Sequence, residues 1–213
     1  MKMPAAADEE VRRHRSRGSL ALAGVVLCGG ASTRMGVDKA TISIEGATLL
    51  ERALARLDTV CDPVLIAAGD IPMMITGRNT IPDAVRGAGP LAGLVAALRA
   101  SPHRLLAVVA VDLPWIDPSL IRWLAAVIGE HDVAVCETTR GIEPLHAVYS
   151  TSLLEAAERA VAGPDRSLRR LIEGSDALQV PEREWRAAGI SGRFTQNLNT
   201  PTDLAEFSQP SLR

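Results

Sequence analysis

The sequence predicts an α/β protein built on a mostly parallel, doubly wound sheet with helices on both faces, a three-layer Rossmann-like arrangement. Apolar runs alternate with helix-like stretches across residues 20–162, at the spacing of successive βαβ units. Of the 213 residues, 47% are hydrophobic but only 3% are aromatic, so alanine, valine, leucine and isoleucine must fill the core. Aliphatic runs of this kind are typical of parallel strands that are buried on both faces.

The predicted strands follow the apolar runs in chain order. Residues 22–28 form the first strand and end at a double glycine. Residues 105–111 are apolar without interruption, as in a central strand, and are followed at once by Asp112. Further strands are predicted at residues 63–68, 79–82 and 132–137. After Gly141 the alternation breaks, and residues 143–149 are predicted to form an irregular or edge strand.

The predicted helices begin at capping residues. Serine, threonine and aspartate side chains accept hydrogen bonds from the first amides of a helix, and proline fits the first turn. The signals, in chain order, are Thr48 with Glu51 as a capping box, Gly89-Pro90, Asp117-Pro118, Ser152 and Thr200-Pro201. Aliphatic residues then recur three and four positions apart after each of the first three signals, which predicts an apolar face packed on a sheet.

Charge and cysteine content exclude several classes of protein. The net charge of −2 gives no general attraction for nucleic acid or an anionic membrane, and few aromatic rings are present to stack on single-stranded bases. Cys28, Cys61 and Cys136 are far apart in the sequence and have no histidine at ligand spacing. The chain is therefore predicted to lie in a reducing cytoplasm, without structural zinc and without nucleic-acid or membrane partners.

The N-terminus places arginines before an apolar run. Arg12, Arg13, Arg15 and Arg17 precede the apolar residues 20–28, which is the order found in a secretory signal. The run is far shorter than the roughly 20 residues of a membrane-spanning helix. Leu27 also stands where a lipoprotein signal needs a small residue. Export stays open as an alternative; residues 1–18 are predicted to be a disordered tail and residues 19–208 a single domain.

Residues 25–39 are predicted to bind the phosphates of a nucleotide. A buried strand leads into Gly29 and Gly30, which allow positive φ angles and a close approach of the backbone to a ligand. Successive main-chain amides in such a loop can surround an anion, and Arg34 and Lys39 add positive charge. The position also fits, because ligands of open α/β sheets bind beyond the carboxyl ends of the strands. A tight surface turn with exposed arginine and lysine is the alternative.

This loop differs from the two common phosphate-binding motifs. A P-loop needs lysine directly after its second glycine, but Val37 follows Gly36, and the adjacent Gly29 and Gly30 do not fit G-x-G-x-x-G. Its pattern, G-G-x-S-x-R-M-G-x-D-K, resembles the signature of the molybdenum cofactor guanylyltransferases, a family within the sugar-nucleotidyltransferase-like superfamily.

The resemblance to this family extends over roughly residues 20–207. Later segments match in order and with compatible spacing, which is far more specific than one match. They are Asp83 with Gly89-Pro-Leu-Ala-Gly93, Val111-Asp-Leu-Pro114, Glu143-Pro-Leu-His-Ala-Val-Tyr149, Arg166-Ser167 and Asn197-Leu-Asn-Thr-Pro201. The resemblance implies a sheet of the nucleotide-diphospho-sugar transferase type, with about residues 19–140 binding the nucleotide and about residues 141–208 the acceptor.

The resemblance implies that a terminal phosphate of molybdopterin attacks the α-phosphorus of GTP and that pyrophosphate leaves. A phosphate monoester, whose second pKa is about 6, is already an anion at neutral pH, so no general base is required. None is evident, since His103 is predicted in a loop and His131 at a helix end. Catalysis would then depend on positioning and on charge neutralisation by Mg²⁺. GTP and the molybdopterin cofactor are the expected partners, and transient contact with other cofactor-biosynthesis proteins or molybdoenzymes is left open.

Asp112 is the predicted Mg²⁺ ligand. It is the first charged residue after the central strand, at the edge of the sheet where the loop after the first strand also arrives. Lys39, with Arg34, is predicted to neutralise charge on the α-phosphate or the leaving group. The alternatives are a turn or capping aspartate before Pro114 and a solvated loop lysine.

The predicted nucleotide-binding residues come from several segments of the chain. They are Leu27, Cys28, Gly29, Gly30, Lys39, Asp83 and Asp112. A carboxylate at Asp83 can accept hydrogen bonds from both guanine N1–H and the exocyclic amine, although Pro82-Asp83 is also ordinary turn chemistry. Many members of the family carry asparagine after the second strand where this chain has Ala67, which removes one polar contact to the nucleotide.

The acceptor is predicted to lie against the C-terminal part of the chain. Asn197 and Asn199 alternate along an extended segment, and the resemblance implies that they face the pterin, although they also suit a turn. Arg166 and Ser167 are predicted to hold the acceptor phosphate. Residues 143–149 are predicted to shape the acceptor side of the cleft.

Three alternatives to guanylyl transfer remain. The first is cytidylyl transfer to the same cofactor, although such proteins tend to have alanine where this chain has Gly29 or Gly30. The second is transfer to a sugar 1-phosphate, but the chain after Gly141 leaves little room for the usual insert. The third is a non-catalytic nucleotide-binding module, which would not need both Asp112 and Lys39.

Overall fold

The computed structural model describes residues 21–28, 39–68, 78–85, 87–196 and 198. Its strands are β1 Leu22–Leu27, β2 Ser43–Ile44, β3 Ala47–Thr48, β4 Val64–Ala67, β5 Asn79–Ile81, β6 Leu105–Ala110, β7 Val133–Thr138, β8 Gly141–Ile142, β9 His146–Ser150 and β10 Ala177–Val180. Its α-helices are α1 Leu49–Leu57, α2 Pro90–Ala100, α3 Pro118–Val127, α4 Leu154–Ala162, α5 Leu168–Glu173 and α6 Glu182–Ala187. Short 3-10 helices occupy Lys39–Thr41, Thr151–Leu153 and Gly192–Thr195.

One large sheet runs through these residues in the order β10-β7-β9-β6-β1-β4-β5, with β8 paired to β7. Strand β1 is parallel to both β4 and β6, and β5 is parallel to β4. The last residue of β1, Leu27, lies opposite Ala67 of β4 and Ala110 of β6. The carboxyl ends of these strands therefore form one edge of the sheet, and the predicted parallel α/β arrangement is confirmed.

Strand β9 corrects the prediction of an irregular or edge strand at residues 143–149. It lies between β6 and β7 and runs antiparallel to both, so each of its sides has a hydrogen-bonding neighbour. All five of its residues are buried. The Tyr149 hydroxyl donates to the Pro144 carbonyl at 2.8 Å, and the Ser150 hydroxyl accepts from the Ser152 amide at 3.3 Å, so these buried polar groups have partners inside the chain.

Local hydrogen bonds fix the starts of the helices. The Glu51 amide donates to Thr48 Oγ1 at 3.1 Å and the Thr48 amide to Glu51 Oε2 at 2.7 Å, so the predicted capping box is present. Asp117 caps α3 as predicted. The prediction of a cap at Ser152 is wrong, because Ser150 caps a 3-10 turn that leads into α4. The helix predicted at Thr200 lies outside the described residues.

Helices cover the sheet on both faces, as the three-layer prediction required. Side chains of β1 alternate, so that Val26 packs with α1 and α3 on one face while Val25 packs with α2 and α4 on the other. The buried residues are mainly alanine, valine, leucine and isoleucine. Each face of the sheet therefore has its own apolar layer.

In the described part of the chain, no helix is both long enough and apolar enough to cross a membrane. The predicted N-terminal tail lies outside that part, and the division into a nucleotide part and an acceptor part stays a prediction.

Candidate functional site

Main-chain hydrogen bonds extend the sheet just beyond the ends of its central strands. The Val111 amide donates to the Leu27 carbonyl at 3.1 Å, and the Cys28 amide donates to the Ala67 carbonyl at 2.8 Å. These bonds hold the ends of β1, β4 and β6 side by side. Asp112 therefore comes directly beside the end of β1, at the edge where open α/β sheets bind ligands.

Lys39 and Asp112 form an ion pair at this edge although they lie far apart in the sequence. Lys39 Nζ is 2.8 Å from Asp112 Oδ2. The side chains are 19% and 20% exposed, so each keeps a small face open to solvent. The next residue, Ala40, is buried with α1 in the core, and this anchors the 3-10 helix that carries Lys39. The structure thus brings together two of the three residues that were predicted to act on the phosphates.

Glu143 is a second carboxylate near Asp112, and sequence reasoning assigned it no chemical role. It lies in the turn between β8 and β9, where its amide donates to the Cys136 carbonyl at 3.0 Å. Burial raises the pKa of the Glu143 carboxyl, and the charge of Asp112 raises it further. The Leu145 amide and nearby arginines act in the opposite direction. A charged residue at the head of a buried strand was the signal that could have identified it.

Asp83 lies beside the ends of β1 and β4, where helix α2 packs closely on the sheet. A Cβ atom on Gly93 of α2 would stand 3.0 Å from Leu27 Cδ2, 3.2 Å from Ala67 Cβ and 3.4 Å from Asp83 Oδ1. The Ala84 amide also donates to the Ala92 carbonyl at 3.3 Å, which fixes the segment after β5 against α2. The glycine therefore permits the approach that brings the Asp83 carboxylate to the predicted nucleotide side.

Two other predicted nucleotide-binding residues can be placed at the same edge. Leu27 is only 4% exposed, its side chain belongs to the core and its carbonyl accepts from the Val111 amide, so its part in nucleotide binding stays a prediction. Cys28 is half-buried and follows directly. The predicted nucleotide residues Gly29, Gly30 and Arg34 lie outside the described residues.

Of the residues predicted to bind the acceptor, Arg166 and Ser167 are described and Asn197 and Asn199 are not. Ser167 caps α5, with its hydroxyl accepting from the Arg170 amide at 3.5 Å and its own amide donating to Asp165 Oδ1 at 3.1 Å. Arg166 is exposed. The structure gives Ser167 a local structural role, and its part in acceptor binding stays a prediction.

The chain near the C-terminus is joined directly to the loop of Asp112. The amide of the buried Leu198 donates to the Asp112 carbonyl at 2.9 Å. Earlier in the same segment, the guanidinium of Arg193 stacks over the Trp115 ring, with Cζ 3.4 Å from the ring centroid. Sequence reasoning missed this pair, because nothing in either local pattern shows that the two segments meet.

The parallel sheet, with a lysine and an aspartate paired at the carboxyl edge of its strands, is the arrangement expected of an α/β nucleotidyltransferase. A family model for the MobA-like NTP transferase domain matches residues 24–180. The probable molybdenum cofactor guanylyltransferase of Mycobacterium avium (strain 104) is 39% identical over 198 residues, which cover 90% of this chain and 97% of that protein. The chain therefore belongs to the family of the molybdenum cofactor guanylyltransferases, and it is an enzyme of the nucleotidyltransferase class.

Solved structures support the same fold. The crystal structure of molybdopterin-guanine dinucleotide biosynthesis protein A from Archaeoglobus fulgidus is 25% identical, with a TM-score of 0.73 and coverage of 86% of this chain and 95% of that one. The 2-C-methyl-D-erythritol 4-phosphate cytidylyltransferase from Thermus thermophilus is 18% identical, with a TM-score of 0.66 and coverage of 89% and 98%. The second likeness concerns the fold alone.

Proposed function

We propose that this enzyme transfers GMP from GTP to the terminal phosphate of the molybdopterin cofactor and releases pyrophosphate. The observation that carries the proposal is the 2.8 Å contact between Lys39 and Asp112 at the carboxyl edge of the sheet. Family membership supplies the class of nucleotide and acceptor, because the curated relatives are named as guanylyltransferases of this cofactor.

The proposed step needs positioning and charge neutralisation. An oxygen of the acceptor phosphate forms a bond to the α-phosphorus of GTP, and the bond from that phosphorus to the bridging oxygen of pyrophosphate breaks. The nucleophile is already an anion, so no proton has to be removed from it. Lys39 would neutralise negative charge that develops on the α-phosphate or on the leaving pyrophosphate. His103 and His131 are engaged elsewhere, with the Asp62 carbonyl and with Asp176.

The residues at the edge suit Mg²⁺ held together with the substrate. No group of three or more histidine, cysteine, aspartate or glutamate side chains forms a metal site among the residues that the structure describes. Mg²⁺ commonly binds through one or two carboxylates while phosphates and waters complete its shell, and the hard oxygens of Asp112 fit that mode. When bound, Mg²⁺ supplies further neutralisation of the phosphate oxygens. Asp112 would hold it, and Lys39 beside it would orient the phosphate chain.

We assign the choice of base to Asp83. Its carboxylate lies beside Leu27 and Ala67 at the strand ends, and a carboxylate can accept from both guanine donors. At residues 67 and 68 the chain offers only two buried alanines, so Asp83 would carry most of the discrimination there. Cytosine, which presents no such pair of adjacent ring and amine donors, would gain less from Asp83.

We place the enzyme in the cytoplasm. Cys61 and Cys136 are buried thiols, and burial raises the pKa of each to about 12. Thiols of this kind behave as small apolar side chains and suit a reducing compartment.

A nucleotide panel tests the proposed function. The purified enzyme would be incubated with Mg²⁺, molybdopterin and each of GTP, ATP, CTP and UTP, and pyrophosphate release would be measured. We expect release with GTP and little with the others. Equal use of GTP and CTP would contradict the role of Asp83 while leaving nucleotidyl transfer in place. If none of the four nucleotides releases pyrophosphate, the proposed function is contradicted and a non-catalytic nucleotide-binding module is favoured.

A further inference from the structure

His146 is a buried titratable residue that the proposed reaction does not use. It opens strand β9 and is 0% exposed. Its Nε2 accepts a hydrogen bond from the Asp117 amide at 3.3 Å, which joins it to the end of the loop that begins at Asp112. Its Nδ1 has no well-formed hydrogen bond within the described parts of the chain, although the main chain of Phe194 is close enough to influence its pKa. A buried polar group whose bonding capacity is incompletely met needs an explanation.

The other contact of the His146 ring is with the segment near the C-terminus. The rings of His146 and Phe194 pack edge to face, with their centroids 5.4 Å apart and their planes at 84°. Phe194 is itself buried and makes a second edge contact with Trp185, at 5.3 Å. His146 thus touches the Asp117 amide on one side and the buried ring of the 3-10 helix Gly192–Thr195 on the other.

Two further links join the same two segments. We call residues 112–117 the aspartate loop, and residues 192–196 with Leu198 the docked segment. The Leu198 amide bonds to the Asp112 carbonyl at the start of the loop, and Arg193 stacks on Trp115 at its middle. His146 connects the end of the loop to Phe194. The docked segment is therefore held at the start, the middle and the end of the aspartate loop. Among the described residues, the contact at the end of the loop is the one made through a fully buried ring, that of His146.

We infer that His146 is a positioning residue that fixes the docked segment against the aspartate loop and so sets the acceptor side of the cleft. The inference rests on the proposed function only where it names the acceptor as the ligand that is affected. The predicted acceptor residues Asn197 and Asn199 flank Leu198 in the sequence, and this is why we name the acceptor as the affected ligand. The neutral imidazole ring of His146 packs edge-to-face against Phe194, as aromatic pairs commonly do.

Hydrogen exchange tests the docking directly. The exchange rate of the Leu198 amide would be measured by NMR in the wild type and in His146→Leu, which removes the ring. We expect exchange at least about tenfold faster in His146→Leu. His146→Phe keeps a ring against Phe194 but loses the acceptor for the Asp117 amide, so its exchange rate should lie between those of the wild type and His146→Leu. Tyr149→Phe is the matched control, because it loses a buried hydrogen bond from the same strand without touching the docked segment. Equal protection in His146→Leu and Tyr149→Phe would overturn the inference.

Arg193→Ala keeps the test decisive if His146→Leu does not fold. Arg193 is exposed, so its truncation should leave the core intact while it removes the stack on Trp115. We expect a smaller but measurable acceleration of exchange at Leu198. No change in this variant would show that the docked segment is not held by the contacts described.

Kinetics separate positioning from general destabilisation. In His146→Leu we expect the KM for molybdopterin to rise about tenfold while the KM for GTP stays within about twofold. A fall in kcat with both KM values unchanged would overturn the acceptor role. If the wild type transfers no GMP at all, the proposed function fails, and the exchange rate of Leu198 still decides whether His146 holds the segment.

Discussion

At the scale of single residues, two carboxylates near the carboxyl edge of the sheet, Asp112 and Glu143, have different surroundings. Asp112 is partly exposed and paired with Lys39, whereas Glu143 is half-buried in the β8–β9 turn. Burial raises the pKa of Glu143, and the negative charge of Asp112 adds to that effect. Of the two, Asp112 combines an open face with an ion-paired lysine, and this is why we assign the metal and phosphate chemistry to it.

Replacement of Asp112 by asparagine should abolish Mg²⁺-dependent turnover without unfolding the chain. The amide keeps the shape of the side chain but removes the charge that holds the metal, so we expect pyrophosphate release to fall by at least about a hundredfold. Circular dichroism would check the fold. Asp58→Asn is the matched control, because Asp58 also pairs with a cation, Arg78, but lies outside the site. Near-normal Mg²⁺-dependent activity in Asp112→Asn would reject the assignment.

His146 should make the stability of the enzyme depend on pH in the acidic range. Burial lowers its pKa to about 4, with Asp117 and the main chain of Phe194 acting in the opposite direction. In the unfolded chain the pKa is near the ordinary 6.5, so protons bind more readily to the unfolded state between these values. The contribution of His146 to the free energy of unfolding is therefore fully present above about pH 6.5. It decreases by about 3 kcal/mol as the pH falls towards 4.

Urea denaturation of the wild type and His146→Phe at pH 7 and pH 4.5 would measure this dependence. The phenylalanine variant cannot take up a proton at this position, so it should lose less free energy of unfolding than the wild type. Carboxylates elsewhere titrate in both proteins and cancel in the comparison. Identical losses in the two proteins would contradict the effect of burial on His146.

Among secondary-structure elements, those near the site depend on both local and distant contacts. Helix α1 begins at a complete capping box and buries one apolar face, including Leu50, Leu54 and Leu57. Helix α2 has no side-chain cap at Gly89 and is held mainly by burial. Strand β9 is set by neighbours on both sides. The 3-10 helix that carries Lys39 packs against α1. The loop after β5, which carries Asp83, packs against α2.

The capping box contributes measurable stability to α1. Thr48→Ala removes the acceptor for the Glu51 amide, and we expect the free energy of unfolding to fall by about 1 kcal/mol. Thr59→Ala is a suitable control, since its hydroxyl only donates to the Arg56 carbonyl after the end of the helix. Urea denaturation of the two variants would compare them. Equal effects would show that the cap contributes nothing beyond an ordinary exposed threonine.

Gly93→Ala should weaken nucleotide binding more than it changes stability. Alanine favours a helix over glycine by about 1 kcal/mol, which offsets part of the crowding. The added Cβ would stand 3.0 Å from Leu27 Cδ2 and 3.2 Å from Ala67 Cβ, so the side chains at the strand ends beside Asp83 must give way by a few tenths of an ångström. We expect the KM for GTP to rise severalfold. Gly174→Ala, where the nearest atom would be at 3.5 Å, is the control and should leave it unchanged.

Across the chain as a unit, the sheet brings together segments that are remote in sequence. The loops after β1 and β6 supply Lys39 and Asp112, and the chain near the C-terminus returns to bond with Asp112 through Leu198. The predicted nucleotide side and the predicted acceptor side therefore share one loop. Ligand binding at that loop should stabilise the whole folded chain, because it links the two sides.

GTP with Mg²⁺ should raise the free energy of unfolding by mass action. At a ligand concentration of about a hundred times Kd, we expect about 3 kcal/mol, seen as a higher Tm in differential scanning calorimetry. Lys39→Met should lose most of this stabilisation, because it removes the cation predicted to meet the phosphates. Arg122→Met, an exposed cation on α3, should retain it. The same Tm shift in both variants would argue against phosphate binding by Lys39.

The sequence by itself determined the parallel α/β arrangement and the capping box of α1, and it predicted the phosphate-binding loop and the roles of Lys39, Asp83 and Asp112. These follow from short-range patterns, because hydrophobic period, caps and strand ends are encoded by neighbouring residues. The family match over residues 24–180 confirmed the nucleotidyltransferase class. The roles of the individual site residues stay predictions.

Only the tertiary structure decided which distant residues meet. It placed β9 between two strands where the sequence predicted an edge, brought Glu143 near Asp112, and docked residues 192–196 and Leu198 onto the aspartate loop through Phe194, His146 and Trp115. The physical reason is that these contacts join segments tens of residues apart. No local pattern fixes such a pairing, which is set by how the whole chain packs its two apolar layers.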